Sequence, residues 1–469
     1  MGRYGSILAK MNLSELLAKI NIQSTCFKVI KGISEDSRYV KEDELFLCFD
    51  LKYLQEAKNK GAITLSESNF SDYTCDDLNQ AKQILIKAFY HLDLNKIKII
   101  GICGSNGKSS VANMLYQILK VNHKCMLIST HYIEFHGEKI ISPHTTPQRL
   151  MLTHLVDEAI TLNYDYVIME VSSHAIDQKR IQDLKFDLII YTNILQDHLD
   201  YHKTKLHYRY SKYKLRHYLK DNGIIIVDSK QNYYQELSLL TKRLLLIDDK
   251  YEMIECNLKG SRFKYQNDIY MINVIGDYQI NNALLVIQAC LYLNINKEII
   301  KEILNQYKGV KGRLQCVYDQ EYKIFIDYAH TQDALKHVLS FLRSQCSGKM
   351  YCVVGCGGNR DISKRKVMGR LACQYSDLAL FTSDNPRYED TMKIIDDMCD
   401  MEYHNYKIFK NRYNAIKYSI QIASKNDIIV VVGKGDENTQ EINGKTYFCH
   451  DESSVKYFLN MKEVLKWKS

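Results

Sequence analysis

Short, almost uninterrupted apolar runs alternate along this chain with longer stretches in which apolar residues recur at helical spacing. A strand buried on both faces of a parallel sheet needs the first pattern, and an amphipathic helix covering that sheet needs the second, so the alternation predicts an α/β fold. The pattern restarts twice. Short helices and strands fill roughly 11–95, including ELFLCFD at 44–50 and GAITLSE at 61–67; KIKII at 96–100 opens a second series; EYKIFIDYAH, after Arg313, opens a third. That third series continues through KMYCVVGCGGNRD, DLALFTSDNPRYED and NDIIVVVGKGDEN, four apolar strands alternating with helices. Three domains are expected: a small α/β amino-terminal domain, 1–95; a central parallel-sheet domain of the phosphate-loop ATPase kind, 96–312; and a carboxy-terminal Rossmann-like α/β domain, 313–469. A chain of 469 residues also exceeds what one hydrophobic core usually serves.

Composition narrows the function classes. The net charge of +8 is spread along the chain, with no basic stripe joined to stacking aromatics, so no nucleic-acid partner is expected. A locally positive cleft for a small anionic substrate remains compatible with it. The 14 cysteines are scattered without C-x-x-C pairs and read as buried small residues of a reducing compartment, which points to the cytoplasm. At the amino terminus, MGRYGSILAKMNLSELLAKI has its apolar positions broken by Lys10, Asn12, Ser14 and Glu15, predicting an amphipathic first helix rather than a targeting segment. No stretch reaches the ~18 continuous apolar residues of a membrane span, so no membrane insertion is expected.

The strand at 96–100 runs into GICGSNGKSS, a glycine-rich turn followed by a helical pattern. Strand, loop, lysine and helix stand in the order a nucleotide-phosphate site requires: backbone N–H groups around Gly101, Gly104 and Gly107 point inward, Lys108 reaches the β/γ-phosphates, and the Ser109 hydroxyl is placed for Mg²⁺. The spacing departs by one position from G-x-x-x-x-G-K-[ST]. Further on, DYVIMEVSSHAI carries one carboxylate, Glu170, to the carboxyl end of an apolar strand, where ligands of parallel sheets bind. A cation is its natural partner, whether Mg²⁺ or a local lysine or arginine. After FDLIIYTNI, 186–194, the side chains of Asp197, His198 and Asp200 crowd the next strand end. With His202 they could suggest zinc, but no cysteine pair supports it. Ser211 and Lys212 lie on a basic helix whose lysines read as a solvated face, and Asp36-Ser37-Arg38 reads as a solvated turn or an anion contact.

Taken together, GICGSNGKSS, HTTP at 144–147, EVSSHA, NILQDHLDYH, the helix carrying Lys212 and GDYQINNAL at 276–284 resemble the ATP-dependent Mur ligases of peptidoglycan synthesis. DHLDYH is similar to the branch that adds the third amino acid. The resemblance implies ATP and Mg²⁺ as cofactors, a UDP-muramyl dipeptide and an amine as substrates, and activation of a carboxylate by transfer of the γ-phosphate. It implies that Gly104, Asn106, Gly107, Lys108, Ser109 and Ser110 cradle phosphates, that Asn282 touches adenine, and that Asp327 lies near the ribose. Ser109 and Glu170 would hold one Mg²⁺, His198 and a carbamylated Lys212 the second, and Arg313 would stabilise phosphate. For the dipeptide and diphosphate it implies Thr145, Thr146, Ser172, Gln178 and Arg180, with Ser37 near the uridine. The amino-terminal domain would then bind the UDP substrate, the central one ATP, and the last one the amino acid.

In the carboxy-terminal series the turn GCGGNRD lacks both the G-x-G-x-x-G order and a matching acidic residue, so it is not a dinucleotide site. The resemblance puts the amine pocket at Arg360, Asp384, Asn385, Arg387, Gly433 and Glu437. It points to meso-diaminopimelate, whose distal carboxylate a guanidinium at 387 could clamp and whose distal ammonium Glu437 could meet; a surface pair of Arg387 with Glu389 or Asp390 is the plainer reading. The chain departs from the family in having a short 49–61 stretch, Lys366 where proline is common, Gln315 for glutamate, and Asp436 where GKGHE carries histidine. L-lysine or a different acceptor, a phosphate-loop switch, and a decayed scaffold are the competing functions. A monomer is expected.

Overall fold

The apolar runs at 44–47 and 63–66 are strands of a parallel four-stranded sheet ordered Gly32–Ser34, Glu44–Leu47, Ile63–Ser66 and Tyr73–Thr74. Alternation sends Leu45 and Leu47 to one face, against Leu78, Leu85 and Phe89 of helix Leu78–Phe89 and Leu16 and Leu17 of helix Leu13–Ala18. Phe46 points the other way, to Leu54 and Ala57. Asp77 starts the longer helix by accepting the Gln80 N–H at 2.9 Å. The first helix has only six residues and follows a short strand at Met11–Asn12, so it is much shorter than the pattern suggests. This computed structural model describes residues 11–130, 132–142, 144–195, 197–231, 233–247 and 250–466, with the backbone alone at Leu199, Asp200 and 463–466. The amino-terminal part of the expected first helix lies outside them.

By Cα proximity the chain divides into two compact units: residues up to Cys103 with Leu119–Ile190 and Ser211–Ile225, and Gly104–Ile118 with Tyr191–Tyr210 and the chain from Ile226 onward. The first unit carries, besides the small sheet, strands ordered Glu138–Ile141, Tyr132–Phe135, Cys125–Ile128, Tyr166–Val171, Lys98–Cys103 and Phe186–Tyr191. Cys125–Ile128, Tyr166–Val171 and Lys98–Cys103 are parallel, and their register sets Glu170 opposite Ile102. Helix Arg149–Thr161 buries Leu152, Leu155, Val156 and Ala159.

The second unit holds an antiparallel meander, Tyr251–Asn257, Gly260–Tyr265 and Asp268–Ile272, which the apolar pattern did not announce. Its six-stranded sheet runs Gln315–Asp319, Lys323–Asp327, Ile428–Val432, Met350–Val354, Leu378–Thr382 and Tyr406–Phe409, parallel except for the first. Four of these are the apolar runs of the sequence, and both edge strands are additions. Strict alternation gives them two buried faces. Phe325, Cys352, Val354 and Val430 meet helices Gln332–Gln345 and Ser363–Tyr375. Ile324, Ile326, Val353 and Val431 meet Arg412–Ile422 and Asp451–Lys466. With both faces covered, only the strand ends stay open to a ligand, and at the carboxyl ends stand Tyr328, Gly355, Asp384 and Gly433.

Candidate active site

The loop between Cys103 and Lys108 is shaped by polar contacts. Asn106 donates its N–H to Asn193 Oδ1 at 2.8 Å, and its carbonyl accepts from Thr192 Oγ1 and Asn193 Nδ2 at 2.5 and 3.2 Å. Ser105 Oγ meets Tyr208 OH at 2.9 Å and accepts the Leu195 N–H at 2.9 Å. Lys108 folds its amine back onto the carbonyls of Gly104 and Ser105, both at 2.9 Å, so the positive charge sits inside the loop. Gly107 has φ +84°, and a Cβ there would lie 2.6 Å from Asn282 Oδ1, so glycine is required on both counts. The buried Asn282, on helix Tyr278–Tyr292, donates to Gln279 Oε1 at 2.9 Å. Ser109 and Ser110 are buried in the first turn of helix Lys108–Leu119.

Gly101 corrects the expectation. It lies within strand Lys98–Cys103, where a Cβ would stand 2.8 Å from the Phe186 ring. Its small size serves strand packing, and the loop proper starts at Gly104.

In the first unit, a second cluster gathers at the end of strand Tyr166–Val171. Glu170 is fully buried, and its carboxylate accepts the N–H and Oγ1–H of Thr130 at 3.0 and 3.1 Å. Among the described residues no lysine or arginine pairs with it. Thr130 Oγ1 also reaches Thr145 at 3.3 Å. Thr146 donates to the Glu170 carbonyl at 2.9 Å and accepts the Ser172 N–H at 3.0 Å, while Arg180 donates to the Thr146 carbonyl at 2.8 Å and holds Gln178 Oε1. Thr145, Thr146, Ser172, Gln178 and Arg180 are therefore one hydrogen-bonded group, with Thr130 as a member the sequence reading missed.

Lys212 does not belong to a solvated face: with Ser211 it is buried on helix Lys205–Tyr213, where Ser211 Oγ lies 3.5 Å from Asp177. The run of polar letters hid the fact that only one side of this helix is wet. Ser37 donates to Glu56 at 2.7 Å and Arg38 pairs with Asp36, so this tripeptide is a self-satisfied turn.

The third cluster surrounds a cavity of ≈ 180 Å³ in the second unit, at the carboxyl ends of its six-stranded sheet. Asp197, His198, Arg360, Asp384, Asn385, Arg387, Gly433 and Glu437 all line it, bringing every residue of the expected amine pocket together with His198. His198 has φ +51° and its Nε2 lies 3.4 Å from Asp197. Burial works against the Asp197 charge, but His198, His330 and Lys364 overcome it and hold this carboxyl well below its usual range. Arg387 donates from Nη1 to the Gly358 carbonyl at 2.8 Å, and its Nε lies 3.4 Å from Glu441, not from Glu389 or Asp390. Glu389 instead pairs with Arg365. Glu437 is already engaged, accepting from the buried Lys434 at 3.1 Å and from Asn385 and Tyr328 at 3.2 Å each. It retains acceptor capacity for one further cation.

Arg313 lies over the Tyr328 ring at 4.3 Å with its buried Nε unpaired. Asp327 is buried and turned to the backbone, accepting the Leu314 and Ala329 N–H groups, both at 2.6 Å; burial raises its carboxyl despite Arg313 nearby. Among the described residues, the group of potential metal ligands in mutual reach is Asp436, His450 and Glu452; the Asp200 side chain of DHLDYH lies outside them. Asp436 pairs there with His450 at 3.5 Å, and Glu452 pairs with Lys456 at 2.5 Å.

Comparison with known proteins decides the family. The Mur ligase middle-domain model matches residues 102–290, and the Mur ligase glutamate ligase domain model matches 312–435. The chain belongs to the Mur ligase family. It is 36% identical over 466 residues to the UDP-N-acetylmuramoyl-L-alanyl-D-glutamate--2,6-diaminopimelate ligase of Clostridium botulinum, covering 93% of this chain and 96% of that one. The ligase of the same description from Aquifex aeolicus is 34% identical, with 93% and 95% covered. A solved structure of a ligase of that description superposes with a TM-score of 0.57 at 25% identity, over 97% of this chain and 99% of the other. MurF from Acinetobacter baumannii shares the fold with a TM-score of 0.70 at 16% identity, over 91% and 96%. This Mur ligase thus has the family's three-domain α/β architecture, its middle and last domains preceded by the four-stranded amino-terminal sheet. Among the described residues no helix is long and apolar enough to cross a membrane.

Proposed function

We propose that this Mur ligase joins meso-2,6-diaminopimelate to UDP-N-acetylmuramoyl-L-alanyl-D-glutamate in peptidoglycan precursor synthesis, converting ATP to ADP and phosphate. The observation that carries this reading is Arg387, a guanidinium lining a polar cavity together with Asp384, Asn385, Gly433 and Glu437. The names of the curated relatives support it. A carboxylate oxygen of the dipeptide attacks the γ-phosphorus as its bond to ADP breaks; the amine nitrogen then attacks the acyl carbon, the bond to phosphate breaks, and the nitrogen loses a proton. The first step concentrates negative charge on a transferring phosphoryl group and the second on the acyl oxygen and the departing phosphate, so cationic and hydrogen-bonding groups around them supply most of the acceleration.

Residue roles follow. Lys108 and the backbone of Gly104, Asn106, Gly107, Ser109 and Ser110 bind phosphates; Asn282 and Asp327 face the nucleoside; Arg313 meets phosphate; Thr145, Thr146, Ser172, Gln178 and Arg180 bind the muramyl dipeptide, with Ser37 towards the uridine. Arg360, Asp384, Asn385, Arg387, Gly433 and Glu437 bind the amino acid. Glu170 fits a metal ligand because its buried carboxylate has hydrogen bonds but, among the described residues, no lysine or arginine partner. Ser109 is proposed with it, and His198 with a carbamylated Lys212, whose side chain is buried, for a second ion. Bound Mg²⁺ supplies neutralisation of phosphate charge.

We assign the domains as 1–95 for the UDP substrate, 96–312 for ATP and 313–469 for the amino acid, in a cytoplasmic monomer. The test is phosphate release with ATP, the UDP-dipeptide and one amine at a time. Turnover with meso-diaminopimelate and little with L-lysine supports the reading, and the reverse preference defeats it.

A further inference from the structure

Arg387 is held in an unusual way. Its φ of +52° is left-handed, a conformation that a long side chain enters only when its surroundings impose it. The hairpin Thr439–Ile442 and Lys445–Phe448 imposes it, turning at Asn443-Gly444, both with positive φ, as a tight two-residue hairpin requires. The Arg387 N–H donates to the Glu441 carbonyl at 3.0 Å, and the Asn443 N–H donates to the Arg387 carbonyl at 2.7 Å. Glu441 also donates its N–H to Asn385 Oδ1 at 3.0 Å, while Gln440 Nε2 reaches Ser383 Oγ at 3.1 Å and the Asp384 carbonyl. One face of the cavity is thereby stitched to one strand.

The side chains continue the pattern. Glu441 Oε2 stands 3.4 Å from Arg387 Nε, and Nη1 donates to Gly358 at 2.8 Å. A guanidinium has five donors in a fixed plane. With Glu441 Oε2 beside Nε, a second carboxylate is disfavoured on that edge, and the end-on edge, between the two terminal nitrogens, is the one for a carboxylate.

We propose that Glu441 is a positioning residue, which sets the plane of the Arg387 guanidinium and so the preference for an amine bearing a distal carboxylate. This rests on the reading of Arg387 as the clamp for that carboxylate. Glu441 does not touch substrate; its effect passes through Arg387.

The test uses the full chain and compares Glu441→Ala, Glu441→Gln and Arg387→Ala with meso-diaminopimelate and L-lysine, alongside thermal unfolding. Glu441→Ala raises KM for meso-diaminopimelate roughly tenfold, in the range of a misplaced charge-assisted contact, and lowers the meso-diaminopimelate to lysine ratio of kcat/KM by a similar factor. Glu441→Gln, which keeps the backbone pairing and an oxygen beside Nε, recovers part of that ratio; it also carries the test should the alanine variant fail to fold. An unchanged ratio in both Glu441 variants, with a ratio that falls in Arg387→Ala, overturns the positioning role and leaves the clamp standing. An unchanged ratio in Arg387→Ala overturns both. An equal loss with the two amines at Glu441 also overturns the proposal, since a merely structural defect has no reason to distinguish them.

Discussion

Thr130 donates both its N–H and its hydroxyl to the carboxylate of Glu170, at 3.0 and 3.1 Å, in the buried end of a parallel strand. Two hydrogen bonds orient this carboxylate but do not neutralise it, and an ion without counter-charge in such a place costs several kcal/mol. On the proposed reading a divalent cation supplies the counter-charge. Glu170→Gln keeps the size and an acceptor for Thr130 while removing the charge, so activity is expected to fall at least ~100-fold, as for removal of one group stabilising a phosphoryl-transfer site. The midpoint of denaturant unfolding without Mg²⁺ should stay the same or rise. Phosphate release against Mg²⁺ concentration checks the first, and near-normal turnover in the variant would exclude Glu170 as a ligand. Chelation of Mg²⁺ should stop the original enzyme.

Lys212 is, like Glu170, a buried ionisable side chain. Lys212→Ala is expected to remove most activity, and added short carboxylates or bicarbonate to restore part of it by standing in for the carbamate. Full turnover of the alanine variant at low bicarbonate would leave Lys212 without a chemical role.

These two residues also show what a sequence can disclose. Glu170 is legible because one carboxylate at the end of an apolar run has nowhere to go but a buried strand end. Lys212 is not: on a helix written KLHYRYSKY every position reads as wet, and only the packing of that helix decides which side is dry. The six-stranded sheet was legible from its four central runs, whereas Gln315–Asp319 and Tyr406–Phe409 are half-exposed edges with too few apolar residues to stand out. Thr192, Asn193 and Thr130 escaped notice because a short polar residue at a strand end looks like the start of any turn. The hairpin from Thr439 was missed for a related reason: its second strand, Lys445–Phe448, is exposed throughout and carries no buried face.

Arg412 and Asp451 form a buried bidentate pair, with Nε and Nη2 each 2.7 Å from a carboxylate oxygen and Nη2 also 2.8 Å from the Val432 carbonyl. The pair ties two helices to the strand that precedes Gly433. Asp451→Ala leaves the guanidinium buried and uncompensated, so unfolding stability should drop by about 3–5 kcal/mol. Urea denaturation measures it, and a change below about 1 kcal/mol would show that water or another acceptor takes the carboxylate's place.

His154 supplies a pH dependence. Burial lowers its imidazole to about 4, with Tyr90 OH 3.4 Å from Nδ1. Its folded value lies below its unfolded one, so the unfolded chain binds more protons between pH ~6.5 and ~4. Stability is therefore complete above pH ~6.5 and declines as pH falls towards 4, by roughly 1–3 kcal/mol after allowance for the partly exposed ring. Replacing His154 with Phe should flatten that part of the stability profile, and an unchanged slope between the variant and the original would remove His154 from the account.

The proposed clamp, Arg387, carries the prediction on specificity. Removing its guanidinium takes one charge-assisted partner from the distal carboxylate of meso-diaminopimelate inside a small cavity. Loss of one partner of such a charge-assisted contact costs about 2–5 kcal/mol, so Arg387→Ala should lower kcat/KM for meso-diaminopimelate by roughly 30-fold to several-thousand-fold. L-lysine has no carboxylate at that end and should lose little, or gain as the local positive charge disappears. Glu437 remains in place in the variant, held by Lys434, Asn385 and Tyr328, so an ammonium still finds an acceptor. ATP affinity should be nearly unchanged, because no contact of Arg387 involves the loop around Lys108. Equal losses with both amines would mean that Arg387 shapes the pocket as a whole, and the preference for a second carboxylate would then have to come from Arg360 on the same cavity wall.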